Sequence, residues 1–376
     1  MQCKQWVKKL FRDDHDFLKS YLKTMLPNFY YRQCIRKKMK NNSHILQYQL
    51  NERLLRDIKD FWNNKLGLQI YTEWHQAYIA TNGIEDYKYV PEDIFYKIIE
   101  PRLNRLSLKQ AYEDKNNYNK VFTHITTPIT ILRNINGFFY DGEYKLLTFQ
   151  EAINKFREVY NNKLVIKPTL NSGGGRNIKV ICKDDFVESN FASYFEQLVK
   201  IYKKDFIVQG YVVQHNFLGE VHPNSLNTLR IISLRFNNKI YILSSILRMG
   251  NSGNIVDNAT VGGLTCGINK EGKLNDFATE HYTYFKHRKH PFTDFVFADK
   301  YIPNHKVVEE CVEELHSQLL YFDIASWDIA ISKNGEPIFI EVNLGNQDIN
   351  FHQRNNGPLF GSLTEQVINY AKSLKR

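Results

Sequence analysis

What this 376-residue chain lacks narrows the reading first. No run approaches the roughly 18 uncharged apolar residues that would cross a bilayer. The opening MQCKQWVKKLFRDDHDF carries charges where a secretory leader needs its apolar segment, so a cytoplasmic location is the resulting expectation. Cysteine is scarce. The five (Cys3, Cys34, Cys182, Cys266, Cys311) are odd in number, scattered and without CxxC spacing, which excludes a disulfide framework and a structural zinc site. No pairing of Cys or Ser with His stands out, so a covalent enzyme intermediate is not indicated. The two common nucleotide fingerprints, GxxxxGK[ST] and a GxGxxG between a strand and a helix, are absent too. There is no internal repeat and no low-complexity linker.

What is present describes a globular protein. The chain is 43% hydrophobic and 14% aromatic, enough to bury one or two cores. Its net charge of +10 is uneven, with about +8 falling in residues 1–110. There the run from Tyr30 to Asn42, YYRQCIRKKMKNN, interleaves aromatic and basic side chains. It reads first as a solvated helix face, and second as a surface for anionic lipid or phosphate.

Residues 1–110 show apolar positions at helical spacing (Leu46, Leu50, Leu54, Leu55, Ile58, Phe61, Trp62), predicting a mainly helical, basic N-terminal domain. From about residue 128 the pattern changes to short β-rich runs such as KLVIKP, FIVQGYVV, LRIISLRF and KIYILSSIL, so the remainder is predicted to be α+β. HKVVEECVEELHSQLLYF predicts a helix ahead of a closing hairpin, SWDIAISKNGEPIFIEVN. Asn334-Gly335 suits a two-residue turn with positive φ at both positions, which pairs Lys333 with Glu336 and, counting outward, Asp328 with Glu341. Glu341 and Asn343, two apart, then share a face with Asp328. Two carboxylates side by side among apolar neighbours are costly unless a cation neutralises them, and oxygen ligands of this kind suit Mg²⁺ or Mn²⁺ held with phosphates.

A second candidate is KPTLNSGGGRNIKV. Lys167 ends a strand, and Gly173, Gly174 and Gly175 let backbone N–H groups approach an anion beside Arg176. By itself the loop reads equally well as a plain glycine turn.

The order of these parts resembles the ATP-grasp superfamily over roughly residues 105–365. Asp114-Lys115, about fifty residues before Lys167, resembles the family's first phosphate-binding lysine, and Lys167 in VIKP the second. Gly173 to Gly175 resemble its mobile cover, and VQGYV the strand that meets adenine, which implies purine contacts at Gln209, Gly210, Tyr211 and Val212 and a ribose contact at Gln214 or His215. Asp328, Glu341 and Asn343 match its metal triad. HPNSLNTLRIISL, LRMGNSGNIVDNATVGG and EVNLGNQDINFHQ resemble a narrower branch associated with sugar transfer and polysaccharide biosynthesis.

The resemblance implies an ATP-grasp fold, with a lid-type subdomain at about 160–212 and a metal and substrate subdomain at about 213–365 within residues 111–376. It implies an ATP- and Mg²⁺-dependent ligase that joins a carboxylate, here a uronic-acid sugar, to an amine through an acyl-phosphate. Arg230 and Arg248 would neutralise the transferred phosphoryl or a carboxylate. Arg176, Asp257, Asn258 and Gln353 are candidate substrate contacts, and the basic N-terminal segment a candidate contact with membrane or lipid-linked glycan. A kinase on the same fold is the alternative. A nucleic-acid-binding protein would explain the basic charge, but it leaves the acidic group without a purpose.

Overall fold

The computed structural model describes residues 27–159, 162–170, 177–185, 191–253 and 262–374. They form two compact units. One gathers the described residues up to Leu103, Tyr282–Phe285 and the chain from Asp348 onward, and the other holds Asn104–His281 and Lys286–Gln347. The C-terminal residues, expected with the sheets, thus join the helical unit.

The helical unit shows how local signals set its elements. The helix Glu52–Leu66 opens on Asn51, whose side-chain oxygen accepts the Leu54 N–H at 2.8 Å, and ends on Gly67 at φ +66°. Its buried residues Leu54, Ile58 and Trp62 recur every four positions, each burial contributing about 1.5–3 kcal/mol. Leu46, expected on the same stripe, is exposed, because Asn51 starts a new helix and Leu46 belongs to the separate segment Ser43–Gln47. In the basic run, Arg32 and Arg36 both reach Glu73 at 3.0 Å, and Lys38 lies 5.4 Å from the Tyr284 ring centre. Much of that charge therefore has partners within the unit.

The same unit contains a polar helix, Ile349–Asn356, buried from Ile349 to Asn355. Its polar side chains need internal partners. Asn350 donates to Glu92, and the Arg354 guanidinium lies 4.8 Å from the Tyr284 ring centre and 4.6 Å from that of Phe351.

The second unit carries two antiparallel sheets among the described residues. The first contains β1 (Thr130–Ile135), β2 (Phe138–Asp141), β3 (Leu146–Leu147), β4 (Leu164–Pro168), β5 (Lys179–Ile181) and β6 (Phe206–Gly210), in the order β3-β2-β1-β6-β4-β5. The second contains β7 (Thr228–Phe236), β8 (Lys239–Met249), β9 (Leu264–Ile268), β10 (Leu274–Glu280), β11 (Lys286–His287), β12 (Ile324–Ile331) and β13 (Pro337–Asn343), in the order β11-β10-β9-β8-β7-β12-β13.

One face of the first sheet packs Leu132, Ile166 and Val208 with Phe156 and Phe195 from the helices Phe149–Glu158 and Phe191–Tyr202. The earlier of these helices opens on a capping box between Thr148 and Glu151. Because side chains alternate, Arg133, Ile207 and Lys167 point to the opposite face. They form one row, Arg133 pairing with Ile207 and Ile207 with Lys167.

In the second sheet, Asp328 pairs with Glu341 and Ser326 with Asn343, as the sequence predicts. The turn differs. Only Gly335 has positive φ (+87°), and the Ser332 N–H donates to the carbonyl of Glu336 at 2.8 Å, so the loop spans three residues rather than two. Ile329 then pairs with Phe339, leaving Ile340 as an extra residue in a β-bulge that restores the expected register at Asp328.

Candidate functional site

The two sheets supply a cluster of opposite charges. On the second sheet, Asp328 of β12 lies between Arg230 of β7 and Glu341 of β13 in one cross-strand row, while Arg248 of β8 pairs with Thr228, two residues from Arg230 on the same face. Arg230 grips Asp328 with a two-toothed fork, Nε to Oδ1 at 2.8 Å and Nη2 to Oδ2 at 2.7 Å, and Arg248 Nη1 adds a contact to Oδ2 at 2.8 Å. Burial alone would raise the Asp328 pKa. The charges of Arg230 and Arg248 override it and hold the carboxyl well below the usual range.

Lys115 and Lys167 come from the first sheet's side of the site. Lys115 Nζ reaches Glu341 Oε2 at 2.9 Å. Lys167 sits on the end of β4, away from the apolar core. Burial and the neighbouring charge of Lys115 push its pKa down to about 8, against the pull of Glu341. The backbones of the two lysines are linked, because the Lys115 N–H donates to the carbonyl of Thr169, two residues beyond Lys167.

Four cations therefore face two carboxylates. That excess of positive charge suits a polyphosphate, and it bears on a divalent ion as well. A bare cation would meet arginines at Asp328 and a lysine at Glu341, so the donor set fits Mg²⁺ or Mn²⁺ arriving with phosphates that compete for those cations. Asn343, two residues along β13 from Glu341 and paired with Ser326, has its Nδ2 buried without a hydrogen-bond partner among the described residues, which leaves this donor available to a ligand oxygen. No group of three or more His, Cys, Asp or Glu converges among the described residues.

The purine-strand residues follow β6. Gln209 is buried and its amide donates to Pro128 O at 3.4 Å and Thr130 Oγ1 at 3.3 Å, so its side chain is tied to the neighbouring strand. The N–H groups of Gly210 and Tyr211 donate to Ile129 and Lys163, and the Val213 carbonyl accepts from Lys333. Val212, between them, makes no backbone hydrogen bond among the described residues.

Three residues with expected ligand roles have internal ones in the structure. Gln214 Nε2 donates to the carbonyls of His222 and Ser225, and its Oε1 accepts from Asn227. His215 caps the helix Asn216–Val221, its Nδ1 accepting from Phe217 N–H. Gln353 exchanges two 2.8 Å hydrogen bonds with the backbone of Val90 and also accepts from Leu359. Gly173, Gly174, Gly175, Arg176, Asp257 and Asn258 lie outside the described residues.

Two further groups, which no sequence motif singles out, tie down the strand that carries Glu341 and Asn343. Tyr118 accepts the Val342 N–H at 3.2 Å, and Glu113 accepts that of Leu344 at 2.8 Å, fixing the end of β13. Glu113 lies next to the Asp114-Lys115 pair, which was the available signal.

The family profile described as sugar-transfer associated ATP-grasp matches residues 96–369. The chain belongs to that family. The first and second sheets carry its ATP-grasp fold, preceded by a helical N-terminal region. Solved structures with low similarity include the biotin carboxylase domain of Hydrogenobacter thermophilus 2-oxoglutarate carboxylase (12% identity, TM-score 0.42), an alignment covering 72% of this chain and 48% of that one. They also include the D-Ala:D-Ser ligase VanG of Enterococcus faecalis (14%, 0.39, covering 70% and 61%) and the D-alanine–D-alanine ligase of Bacillus anthracis (14%, 0.38, covering 70% and 66%). The chain thus spans about half the length of the biotin carboxylase chain. No curated protein sequence matches significantly. Among the described residues, no helix is long and apolar enough to cross a membrane.

Proposed function

We propose that this protein is an ATP-dependent ligase that activates the carboxylate of a uronic-acid sugar as an acyl-phosphate, releasing ADP, and passes the acyl group to an amine, which displaces phosphate and forms an amide. The observation that carries this reading is the cluster of Lys115, Lys167, Arg230 and Arg248 around Asp328 and Glu341. Lys115 and Lys167 neutralise the α and β phosphates. The backbone of Val212 meets the adenine edge. Arg230 and Arg248, each able to form a fork, orient the sugar carboxylate and the γ-phosphate against each other and spread the charge of the transferred phosphoryl.

Asp328, Glu341 and Asn343 would hold Mg²⁺ or Mn²⁺. When bound, the ion neutralises phosphate charge. The family's association with sugar transfer supports the choice of a sugar acid, and a role in surface-polysaccharide synthesis belongs to the same proposal. The N-terminal basic segment retains exposed Lys37 and Lys40, which would suit a lipid-linked glycan at a membrane surface.

The test is ADP release in the presence of ATP and Mg²⁺ with a uronic acid and an amine, supplied singly and together. Release that needs both supports the ligase. A stable phosphorylated product from a single hydroxyl acceptor would show a kinase instead. Glu341→Gln should abolish turnover while changing the unfolding midpoint little, since Glu341 is partly exposed and its main contact is one lysine.

A further inference from the structure

We infer that Arg133 is a positioning residue for the phosphate grip, acting through Asn116 on Lys115; the inference rests on the nucleotide-binding reading above. Arg133 lies in the middle of β1 and is fully buried, a place where an apolar side chain is the ordinary occupant. Its Nη1 donates to the Asn116 carbonyl at 3.1 Å, and its Nη2 to Asn119 Oδ1 at 2.7 Å and, more weakly, to the Gly142 carbonyl at 3.4 Å. The guanidinium lies 4.2 Å from the Tyr144 ring centre. None of these partners is a carboxylate, and Nε makes no hydrogen bond among the described residues. Burying a cation on neutral acceptors is costly. A position that needed only packing would be filled better by a leucine.

The return is a rigid fork on the turn that carries Lys115. The Tyr144 hydroxyl donates to the same Asn116 carbonyl at 2.7 Å, so both acceptor sites of that oxygen are engaged. The rest of the turn is equally fixed. The Asn116 N–H donates to Asp114 Oδ1 at 2.9 Å, and its side-chain amide to the Asn134 carbonyl at 3.0 Å. Lys115 is joined through its N–H to Thr169, beyond Lys167. Arg133 also stands in the cross-strand row that ends at Lys167. It therefore braces, from one strand, the turn bearing the first lysine beside the strand bearing the second. A lysine in its place would keep the charge and lose the fork.

The experiment measures Mg²⁺–ATP affinity and urea unfolding in the full chain for Lys115→Ala, Arg133→Met, Arg133→Lys, Tyr144→Phe and the double variant Arg133→Met with Lys115→Ala. Loss of a charged phosphate contact should weaken ATP on the order of 10- to 100-fold in Lys115→Ala. Arg133→Met should come close to that loss, Arg133→Lys should fail to restore it, and the double variant should bind no more weakly than Lys115→Ala alone.

Losses that multiply in the double variant would overturn the positioning role. So would full recovery in Arg133→Lys, which would show a direct effect of charge, or a lowered unfolding midpoint with unchanged affinity, which would show packing. Should Arg133→Met fail to fold, Tyr144→Phe removes one of the two donors to Asn116 and is expected to give a smaller loss that also vanishes in the Lys115→Ala background. Wild-type protein that binds no ATP would overturn the nucleotide reading together with this one. Normal wild-type binding with independent losses would overturn the positioning role alone.

Discussion

Replacing Lys167 by methionine should make the protein more stable in the absence of nucleotide and leave it unable to hold a triphosphate. The ammonium is buried beside the charge of Lys115, which pushes its pKa from the ordinary 10.5 to about 8. At about 1.4 kcal/mol per pH unit, keeping Lys167 charged in the folded state costs about 3 kcal/mol at neutral pH. The sign follows from proton counts. Below pH 8 the lysine is protonated in both folded and unfolded chains, and the whole cost is present. Between pH 8 and 10.5 the unfolded chain holds a proton that the folded one has released, so wild-type stability rises with pH across that window. Methionine removes both the cost and the titration.

Urea unfolding at pH 7 should show Lys167→Met more stable by up to about 3 kcal/mol, with the difference shrinking to about half or less by pH 9.5. ATP affinity should fall sharply in the variant, and in the wild type it should weaken as pH rises through 8. A variant less stable than wild type at pH 7, or a stability difference equal at both pH values, would refute the argument. This is the trade expected where a cation is held against its own solvation for use at a site.

Asp328→Asn should destabilise the fold by about 3–5 kcal/mol, read by chemical unfolding, because two buried guanidinium groups lose the charge that compensates them; a loss under about 1 kcal/mol would mean that Arg230 and Arg248 are neutralised elsewhere. Gly250→Ala should cost about 1–3 kcal/mol, since the added Cβ would stand 2.5 Å from Ser225 Oγ and 2.8 Å from the His222 ring, while Gly253→Ala, with nothing within 4 Å, should meet no such clash in the same melts. Deleting Ile340 should leave a folded protein, weakened by about 1–2 kcal/mol for a half-buried side chain, with a larger proportional loss of turnover. Deleting Val342 instead would turn Asn343 to the core face and should prevent folding, so equal damage from the two deletions would contradict the bulge.

The parts of the site legible in the sequence are those whose signal is local. Lys167 closes a compact β-rich run, and Glu341 and Asn343 share a strand face through two-residue periodicity. What was hidden depends on partners far along the chain. Arg230 and Arg248 meet Asp328 across 98 and 80 residues, so the carboxylate expected to await a metal is found in an arginine fork. Gln214 and His215 lie where a ribose contact was expected, yet their side chains serve a loop and a helix cap. The run Ile349–Asn356 is polar enough to predict a surface, but its interior partners, among them Glu92, are 258 residues away. Arg133 gave no signal, because one arginine in an apolar strand is indistinguishable from an edge residue until its acceptors are known.

The closing hairpin reached its register by a route different from the one its sequence suggested. A two-residue turn would place Asp328 opposite Glu341 directly. The observed three-residue loop shifts every partner by one, which without correction would put Glu341 opposite Trp327, on the face where Trp327, Ile329, Phe339 and Val342 form the core. A carboxylate there would be buried among aromatic rings, at a cost that rules the arrangement out. The bulge at Ile340 absorbs the shift. Its trace is that Phe339 and Val342, three apart, are both buried in that core, whereas regular alternation would send them to opposite faces. The sequence carried the same trace, since PIFIEVN has apolar residues at 338, 339 and 340 and cannot alternate through them. The burial pattern, and not the turn, fixes where the acids point, and the site end of the strand keeps its pairing through a change of loop length because the core tolerates only one answer.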